Sequence, residues 1–103
     1  CLSARRAAVR VTQRAPSEVI AHLMERDAFS QLLGMDVLET GVGRAVVRMT
    51  VRPDLVNGFG TLHGGALFTL ADSAFAFATN AGGTLSVAVD CTISFPVACR
   101  PGD

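Results

Sequence analysis

The feature that most constrains the fold is a long apolar segment, Gly64 to Ala81, in the second half of the chain. The segment has the length and composition of a helix that is apolar on almost every side, so most of its surface must be covered by other parts of the structure. One carboxylate, Asp72, lies in the middle of it. Aspartate is a poor helix former and is commoner at helix caps. Because an unpaired buried charge is destabilising, we expect Asp72 to be exposed, paired or functional.

Shorter patterns on both sides of this segment predict an α+β protein with an antiparallel sheet. One helix is predicted between Ser17, as its N-cap, and Gly34, as its stop. Alternating apolar and polar residues around a turn at 41–43 predict a β-hairpin whose second strand ends at Pro53. A third strand is predicted over 84–95. Three strands from one chain cannot easily cover such an apolar helix, so further chain or a partner subunit is expected to complete the cover.

Composition excludes several classes of function. The 103 residues are enough for one domain, and nine basic residues balance nine acidic ones, which argues against nucleic acid as the main partner. No apolar run approaches the roughly 18 residues that a membrane span needs, so no membrane partner is expected. Basic residues cluster only before Pro16. We interpret residues 1–16 as a basic N-terminal tail outside the fold, with a targeting presequence or upstream sequence as alternatives.

The cysteines and histidines give no sign of a metal or disulfide framework. Cys1, Cys91 and Cys99 form no CxxC pair, and the two histidines lie far apart in sequence. An odd, unpaired set of cysteines fits a reducing compartment, so a cytoplasmic location is expected. Cys91 and Cys99 are interpreted as small buried core residues.

The segment NGFGTLHGGALFTLADSAFAFATN, from Asn57 to Asn80, resembles the hotdog-fold acyl-CoA thioesterases, and among them the phenylacetate-pathway, or PaaI-like, subgroup. The matching features are an Asn ahead of the loop, His-Gly-Gly at the helix start, and Leu-Ala-Asp two turns later. A later segment, TISFPVACRPGD, is similar to that family's strand, Pro-containing bend and Gly-Asp. The resemblance extends from about Phe29 to Asp103.

The resemblance implies a hotdog fold, in which an antiparallel sheet wraps around a long central helix. It also implies homodimers whose two sheets join edge to edge, and a dimer of dimers as the larger assembly. Members of that family usually continue past the Gly-Asp with two further strands. Residues 17–103 are therefore interpreted as a hotdog thioesterase domain that is C-terminally incomplete, lacking its last strands.

The chemistry of thioester hydrolysis gives the motif residues possible roles. The reaction needs donors for the developing oxyanion and a group that attacks or activates water. Gly64 opens the helix, where free backbone N–H groups and the positive end of the helix dipole can form an oxyanion hole. Asp72 would be the general base or the nucleophile, and Asn57 would hold the attacking water or the thioester oxygen.

Each of these residues also has a structural interpretation. For His63, a structural or orienting role, in which it bonds a loop carbonyl, is favoured over acid–base work. Gly65 can be a helix-start glycine needed for close packing, and Asn57 can be a turn residue. Substrate contacts are expected from Gly65, Phe68 and Leu62. No cofactor and no metal is expected, because coenzyme A is part of the acyl-CoA substrate.

Three functions are consistent with these residues, and hydrolysis of acyl- or aryl-CoA thioesters is the leading one. The alternative is a non-catalytic hotdog module that binds acyl-CoA as a sensor or scaffold. Such a module needs the same pocket but no carboxylate at position 72, so Asp72 counts against it. A dehydratase acting on acyl-carrier substrates comes third, because the His-containing, Pro-rich loop usual for that class is not seen.

Overall fold

The computed structural model describes residues 2–3 and 15–103 of the chain, so most of the predicted basic tail lies outside the described residues. The strands pair antiparallel in two separate ladders, Asp36–Gly41 with Arg44–Arg48 and Leu2–Ser3 with Ser86–Val87. This arrangement of helices and antiparallel strands confirms the predicted α+β class. In chain order the elements are β1 (Leu2–Ser3), α1 (Pro16–Arg26), α2 (Ala28–Leu32), β2 (Asp36–Gly41), β3 (Arg44–Arg48), a short 3-10 helix (Pro53–Leu55), α3 (Gly64–Asn80) and β4 (Ser86–Val87).

The region predicted as one helix over 17–34 contains two helices, so that prediction is wrong in its middle. The chain leaves α1 at Asp27, whose carboxylate then caps α2 by accepting a hydrogen bond from the Ser30 N–H at 3.0 Å. Aspartate side chains compete for backbone N–H groups in this way, which is why they favour caps over helix interiors.

The two ends of this helical region differ in how well they follow the sequence pattern. Ser17 is not the N-cap as predicted, because Ala15 occupies that position without a side-chain hydrogen bond and Pro16 is the first helical residue. A proline fits there because the first N–H of a helix has no partner inside the helix. The predicted stop is confirmed, since Gly34 follows α2 with a φ of +71°, a conformation that favours glycine.

The predicted hairpin is confirmed as β2 and β3, but its second strand ends at Arg48 and not at Pro53. Arg48 pairs with the first residue of β2, so the residues after it have no partner in that ladder. Val51 instead bonds the last residues of the chain. Its N–H donates to the Asp103 carbonyl at 3.0 Å, and its carbonyl accepts from the Gly102 N–H at 3.0 Å.

The strand predicted over 84–95 is limited to two residues, Ser86–Val87, which pair with Leu2–Ser3. Among the residues that the structure describes, none forms a ladder with 88–95. A segment without a neighbouring strand has no partner for its backbone N–H and C=O groups, so it is not assigned as a strand. The large apolar side chains from Leu85 to Val89 are largely exposed.

The helix α3 packs on the hairpin, and buried residues on both sides of it form two apolar clusters. Its N-terminal half contacts one cluster through Ala66, Leu67 and Leu70, and Phe77 belongs to the other. The opposite face, which includes Asp72, is open. The first cluster consists of Leu33, Met35, Met49, Val51, Leu55 and Leu62, and the second of Ile20, Phe77 and Ala81.

In the described part of the chain no helix is long and apolar enough to cross a membrane.

A buried chain of hydrogen bonds fixes the rotation of α3 relative to α2. Ser30 is 1% exposed and Ser73 is 7% exposed, and their hydroxyl oxygens lie 2.6 Å apart. Ser30 donates its single hydroxyl proton to the Asp27 carboxylate at 2.6 Å, so Ser73 must be the donor to Ser30. Because consecutive helical residues point about 100° apart, this contact directs the neighbouring Asp72 towards the open face.

Candidate active site

The N-terminus of α3 has one backbone donor that no acceptor bonds in the part of the chain that the structure describes. His63 is the N-cap, and its Nδ1 accepts a hydrogen bond from the Gly65 N–H at 2.9 Å. Its carbonyl accepts from the N–H groups of Ala66 at 2.9 Å and Leu67 at 3.2 Å. Over residues 15–103 no acceptor bonds the remaining N–H of this first turn, that of Gly64. This donor lies at the positive end of the helix dipole and is available to a ligand oxygen.

His63 has a structural contact, as favoured from the sequence, but its partner is an amide N–H and not a loop carbonyl. Since Nδ1 is the acceptor, the proton of the neutral ring lies on Nε2. Glycine at position 65 makes room for this contact, because a Cβ there would lie 3.0 Å from Nδ1. The imidazole therefore holds the helix start in the conformation that leaves the Gly64 N–H free.

A cavity of about 300 Å³ lies beside this helix start, and Asn57, Gly64 and Phe95 are among the residues that line it. The Phe95 ring is in close contact with the backbone of Gly64, where a Cβ would lie 3.3 Å from the ring. Leu62, one of the predicted substrate contacts, also lines this cavity, although it is a buried member of the first core cluster.

The Asn57 side chain organises the loop that precedes α3. Its Oδ1 accepts hydrogen bonds from the N–H groups of Phe59 at 2.9 Å and Thr61 at 3.2 Å, and its Nδ2 donates to Thr61 Oγ1 at 3.1 Å. These contacts are those of a turn residue, which is the structural interpretation that the sequence allows for Asn57. An amide nitrogen has two protons, and the described residues provide a partner for only one of them. The second remains available on a residue that lines the cavity with Gly64.

A second cavity, of about 530 Å³, opens along the exposed face of α3 and contains Asp72. Asp72 is exposed and has no hydrogen bond or ion pair within residues 15–103. A carboxylate is therefore tolerated in this apolar helix because it is exposed. Exposure is one of the three possibilities expected from the sequence, which were that Asp72 is exposed, paired or functional. The helix contributes Gly65, Phe68, Thr69 and Asp72, at the spacing of one helical face, and the facing segment contributes Ala88, Val89, Asp90 and Cys91.

The structure corrects the prediction for one cysteine. Cys91 was expected in the core, but it is exposed and lines the Asp72 cavity. The error follows from the predicted strand over 84–95, which pairs only at its start and leaves Cys91 beside the helix. Cys99 is half-buried against the first core cluster, in partial agreement with the prediction.

Five further residues of the Asp72 cavity were not predicted as site residues, and three of them, Thr69, Asp90 and Cys91, carry a polar or thiol group. Thr69 is three residues before Asp72, so helical spacing alone could have identified it. Asp90 and Cys91 lie on the facing segment, and no sequence signal indicated which of its residues would face the helix. Among the described residues, no group of three His, Cys, Asp or Glu side chains is placed to hold a metal ion.

Six of the seven predicted site residues thus fall into two separate cavities, with Leu62 in the Gly64 cavity, whereas His63 lines neither. Asn57 and Gly64 line one, and Gly65, Phe68 and Asp72 line the other. Gly64 and Asp72 are eight residues apart on one helix, which separates them by about 12 Å along its axis. An attacking group must lie about 3 Å from the carbon whose oxygen is bound at the N–H donor. One copy of α3 cannot satisfy both conditions on a single thioester.

Comparisons with known proteins agree with the motif. Residues 59–103 match the Thioesterase superfamily. Acyl-coenzyme A thioesterase PaaI of Escherichia coli K12 is 49% identical over 83 residues, which are 80% of this chain and 57% of that protein. A putative esterase of Archaeoglobus fulgidus is 35% identical over 82 residues, which are 80% of this chain and 53% of that protein.

The structural comparison leads to the same group of proteins. The solved E. coli PaaI protein from the phenylacetic acid degradation operon superposes with a TM-score of 0.83 at 42% identity, over 85% of this chain and 64% of that one. The chain thus spans little more than half the length of the curated relatives it matches. The chain matches the thioesterase superfamily over residues 59–103, has the hotdog fold of its solved relatives, and is similar to PaaI proteins.

Proposed function

We propose that the protein hydrolyses acyl- or aryl-CoA thioesters to the free acid and coenzyme A. The observation that supports this most is the combination, on one helix, of a free N–H at Gly64 and an accessible carboxylate at Asp72, each beside a cavity. No cofactor is needed, because coenzyme A is part of the substrate. The unpaired cysteines Cys91 and Cys99 support a cytoplasmic location for the reaction.

In the proposed reaction, the thioester oxygen binds the Gly64 N–H, and the free N–H of Asn57 is its second donor or holds the attacking water. Asp72 activates the water or attacks the carbonyl carbon itself. The carbon–sulfur bond then breaks, and the thiolate of coenzyme A takes up a proton. The donors stabilise the charge that develops on the oxygen, which is commonly the largest single contribution to such catalysis.

The separation of the two cavities leads us to propose a site shared by two chains. Two antiparallel copies of α3 that meet across a twofold axis bring Asn57 and Gly64 of one subunit next to Asp72 of the other. The functional unit would then be a homodimer, and a dimer of dimers is proposed as the larger assembly. Phe68 and Gly65 would contact the acyl group from the Asp72 side, and Leu62 would support the pocket from the Gly64 side.

The proposal is tested by steady-state kinetics on a panel of acyl- and aryl-CoA thioesters, with a thiol-trapping reagent to detect released coenzyme A. We expect saturable thiol release that rises in proportion to the protein concentration. The alternative, a non-catalytic acyl-CoA-binding module, predicts binding by calorimetry without thiol release. That combination of results would replace the hydrolase proposal.

A further inference from the structure

Thr69, which carries a hydroxyl group, is one of the residues that line the Asp72 cavity. Its Oγ1 donates a hydrogen bond to the Gly65 carbonyl at 2.8 Å, one turn earlier in α3. Of the residues that line this cavity, Thr69 is the one with a hydroxyl group. Its hydrogen bond selects one side-chain rotamer, so the oxygen has a fixed position relative to α3.

The spacing between Thr69 and Asp72 suits one bridging water molecule. Residues three apart on a helix have Cβ atoms about 5–6 Å from each other. A water that bonds both side chains at ordinary hydrogen-bond distances, about 2.8 Å each, spans such a gap. Both residues line the same cavity, so this water would also face the bound substrate.

The direction of the hydrogen bonds determines how such a water is oriented. The only hydroxyl proton of Thr69 is given to Gly65, so towards the cavity its oxygen is an acceptor. An ionised Asp72 is also an acceptor. A water between them donates one proton to each, which leaves its lone pairs directed away from α3 and into the cavity.

We propose that Thr69 holds the attacking water against Asp72 and is a further catalytic residue of this site; the proposal rests on the proposed thioester hydrolysis. Asp72 takes one proton from the water, whose oxygen bonds the carbonyl carbon, while Thr69 keeps its hydrogen bond from the other proton. The carbon–sulfur bond breaks, and the leaving thiolate takes the proton back from Asp72. In this arrangement Asp72 is a general base. If its carboxylate attacked the carbonyl carbon directly, no water would have to be held between Asp72 and a second acceptor.

The chain offers a matched control for the structural part of this contact. Thr79, also on α3, makes the same type of bond to the Phe75 carbonyl at 2.9 Å but does not line the Asp72 cavity. Thr79→Val therefore reports the effect of removing such a bond from the helix. Thr69→Val removes the bond and also the acceptor in the cavity, with little change of shape, whereas Thr69→Ser retains the hydroxyl.

The test compares kcat, KM and Tm of these three variants in the full-length protein with one acyl-CoA. We expect Thr69→Val to lower kcat at least about tenfold with KM changed less than about twofold. Thr69→Ser and Thr79→Val should stay within about threefold of wild type. Wild-type kcat in a folded Thr69→Val, or equal losses in Thr69→Val and Thr69→Ser, would overturn the proposal.

A second measurement needs no variant. In a single turnover with enzyme in excess in ¹⁸O-labelled water, general-base catalysis puts one solvent oxygen into the acid in the first turnover. Attack by the Asp72 carboxylate, followed by hydrolysis of the resulting anhydride at the Asp72 carbonyl, would instead leave an unlabelled enzyme oxygen in the acid and ¹⁸O on Asp72. That result would contradict the role proposed for Thr69 while leaving hydrolysis itself intact. Absence of any thiol release by the wild type would overturn the proposed function, and this inference with it.

Discussion

Asp72 and Ser73 are neighbours in sequence but have opposite environments. Ser73 is buried in the hydrogen-bond chain to Ser30, whereas Asp72 is exposed on the cavity side of the helix. The carboxylate therefore needs no buried partner, and its accessibility is what a reacting group requires. Its helical position also explains why Gly65, Phe68 and Thr69 share a cavity with it, since all four lie on one helical face.

Replacing Asp72 by asparagine should remove the chemical step and keep the fold. The amide has nearly the same size but cannot accept a proton from water at neutral pH. We expect kcat to fall at least about 10²-fold with little change in Tm. Steady-state kinetics of Asp72→Asn and Asp90→Asn, the other carboxylate that lines this cavity, would check the assignment. Loss of turnover in Asp90→Asn but not in Asp72→Asn would identify Asp90 as the base.

At the scale of elements, the position of α3 depends on its link to α2. Ser30 accepts from Ser73 and donates to Asp27, so its hydroxyl is the centre of three polar groups. Ser30→Ala leaves the buried Ser73 hydroxyl without this acceptor and should lower the free energy of unfolding by about 1–3 kcal/mol. Urea unfolding of Ser30→Ala, Ser73→Ala and the double variant would measure this.

The double variant shows whether Ser30 and Ser73 stabilise the fold through one shared hydrogen bond or contribute independently to the free energy of unfolding. If the two serines stabilise the fold through one shared bond, the combined loss should be smaller than the sum of the single losses. Strictly additive losses would show that the 2.6 Å contact contributes nothing to stability.

Elements whose structure depends on their own residues could be predicted from the sequence, whereas elements that depend on contacts with distant parts of the chain could not. The helix α3 was predicted to within one residue, because its apolar run is long and begins at glycines. The break at Asp27 was missed, because Asp27 bonds Ser30, which in turn contacts Ser73, 43 residues away. The strand at 84–95 was overestimated, because alternating residues do not reveal whether a partner strand is present.

The candidate site shows the same limits. The motif residues Asn57, Gly64 and Asp72 were identified as candidates from the family resemblance together with local signals, and each of them lines a cavity. Their division between two cavities follows from the rise of the helix, so it could be calculated from the sequence. Asp90 and Cys91 could not be found, because their approach to α3 is set by the path of the chain after β4.

At the scale of the whole molecule, the described chain leaves a large apolar surface uncovered. The side chains of Leu85, Val89 and Val97 are 70%, 65% and 75% exposed, and the open face of α3 lies nearby. Exposed apolar surface beside an unpaired segment promotes association. A chain limited to these 103 residues should therefore aggregate or melt broadly, as measured by size-exclusion chromatography and thermal unfolding. A sharp melt of a soluble monomer would contradict this expectation.

The uncovered apolar surface is also relevant to how the proposed active site is completed. The Gly64 N–H and Asp72 lie about 12 Å apart along one helix, and they line different cavities. A second subunit across a twofold axis would cover exposed surface and bring the two halves of the site together. We therefore expect a thioesterase site built from Asn57 and Gly64 of one chain and Asp72 of another.

Complementation in the full-length protein tests this claim most directly. Asn57→Ala and Asp72→Ala should each be nearly inactive alone, because each damages every site in its own homodimer. Refolded together in equal amounts, about half of the dimers are mixed, and each mixed dimer has one doubly damaged site and one intact site. We expect about a quarter of wild-type thioesterase activity to return. No recovery, with mixed dimers confirmed by native mass spectrometry, would contradict it and place the whole site within one chain.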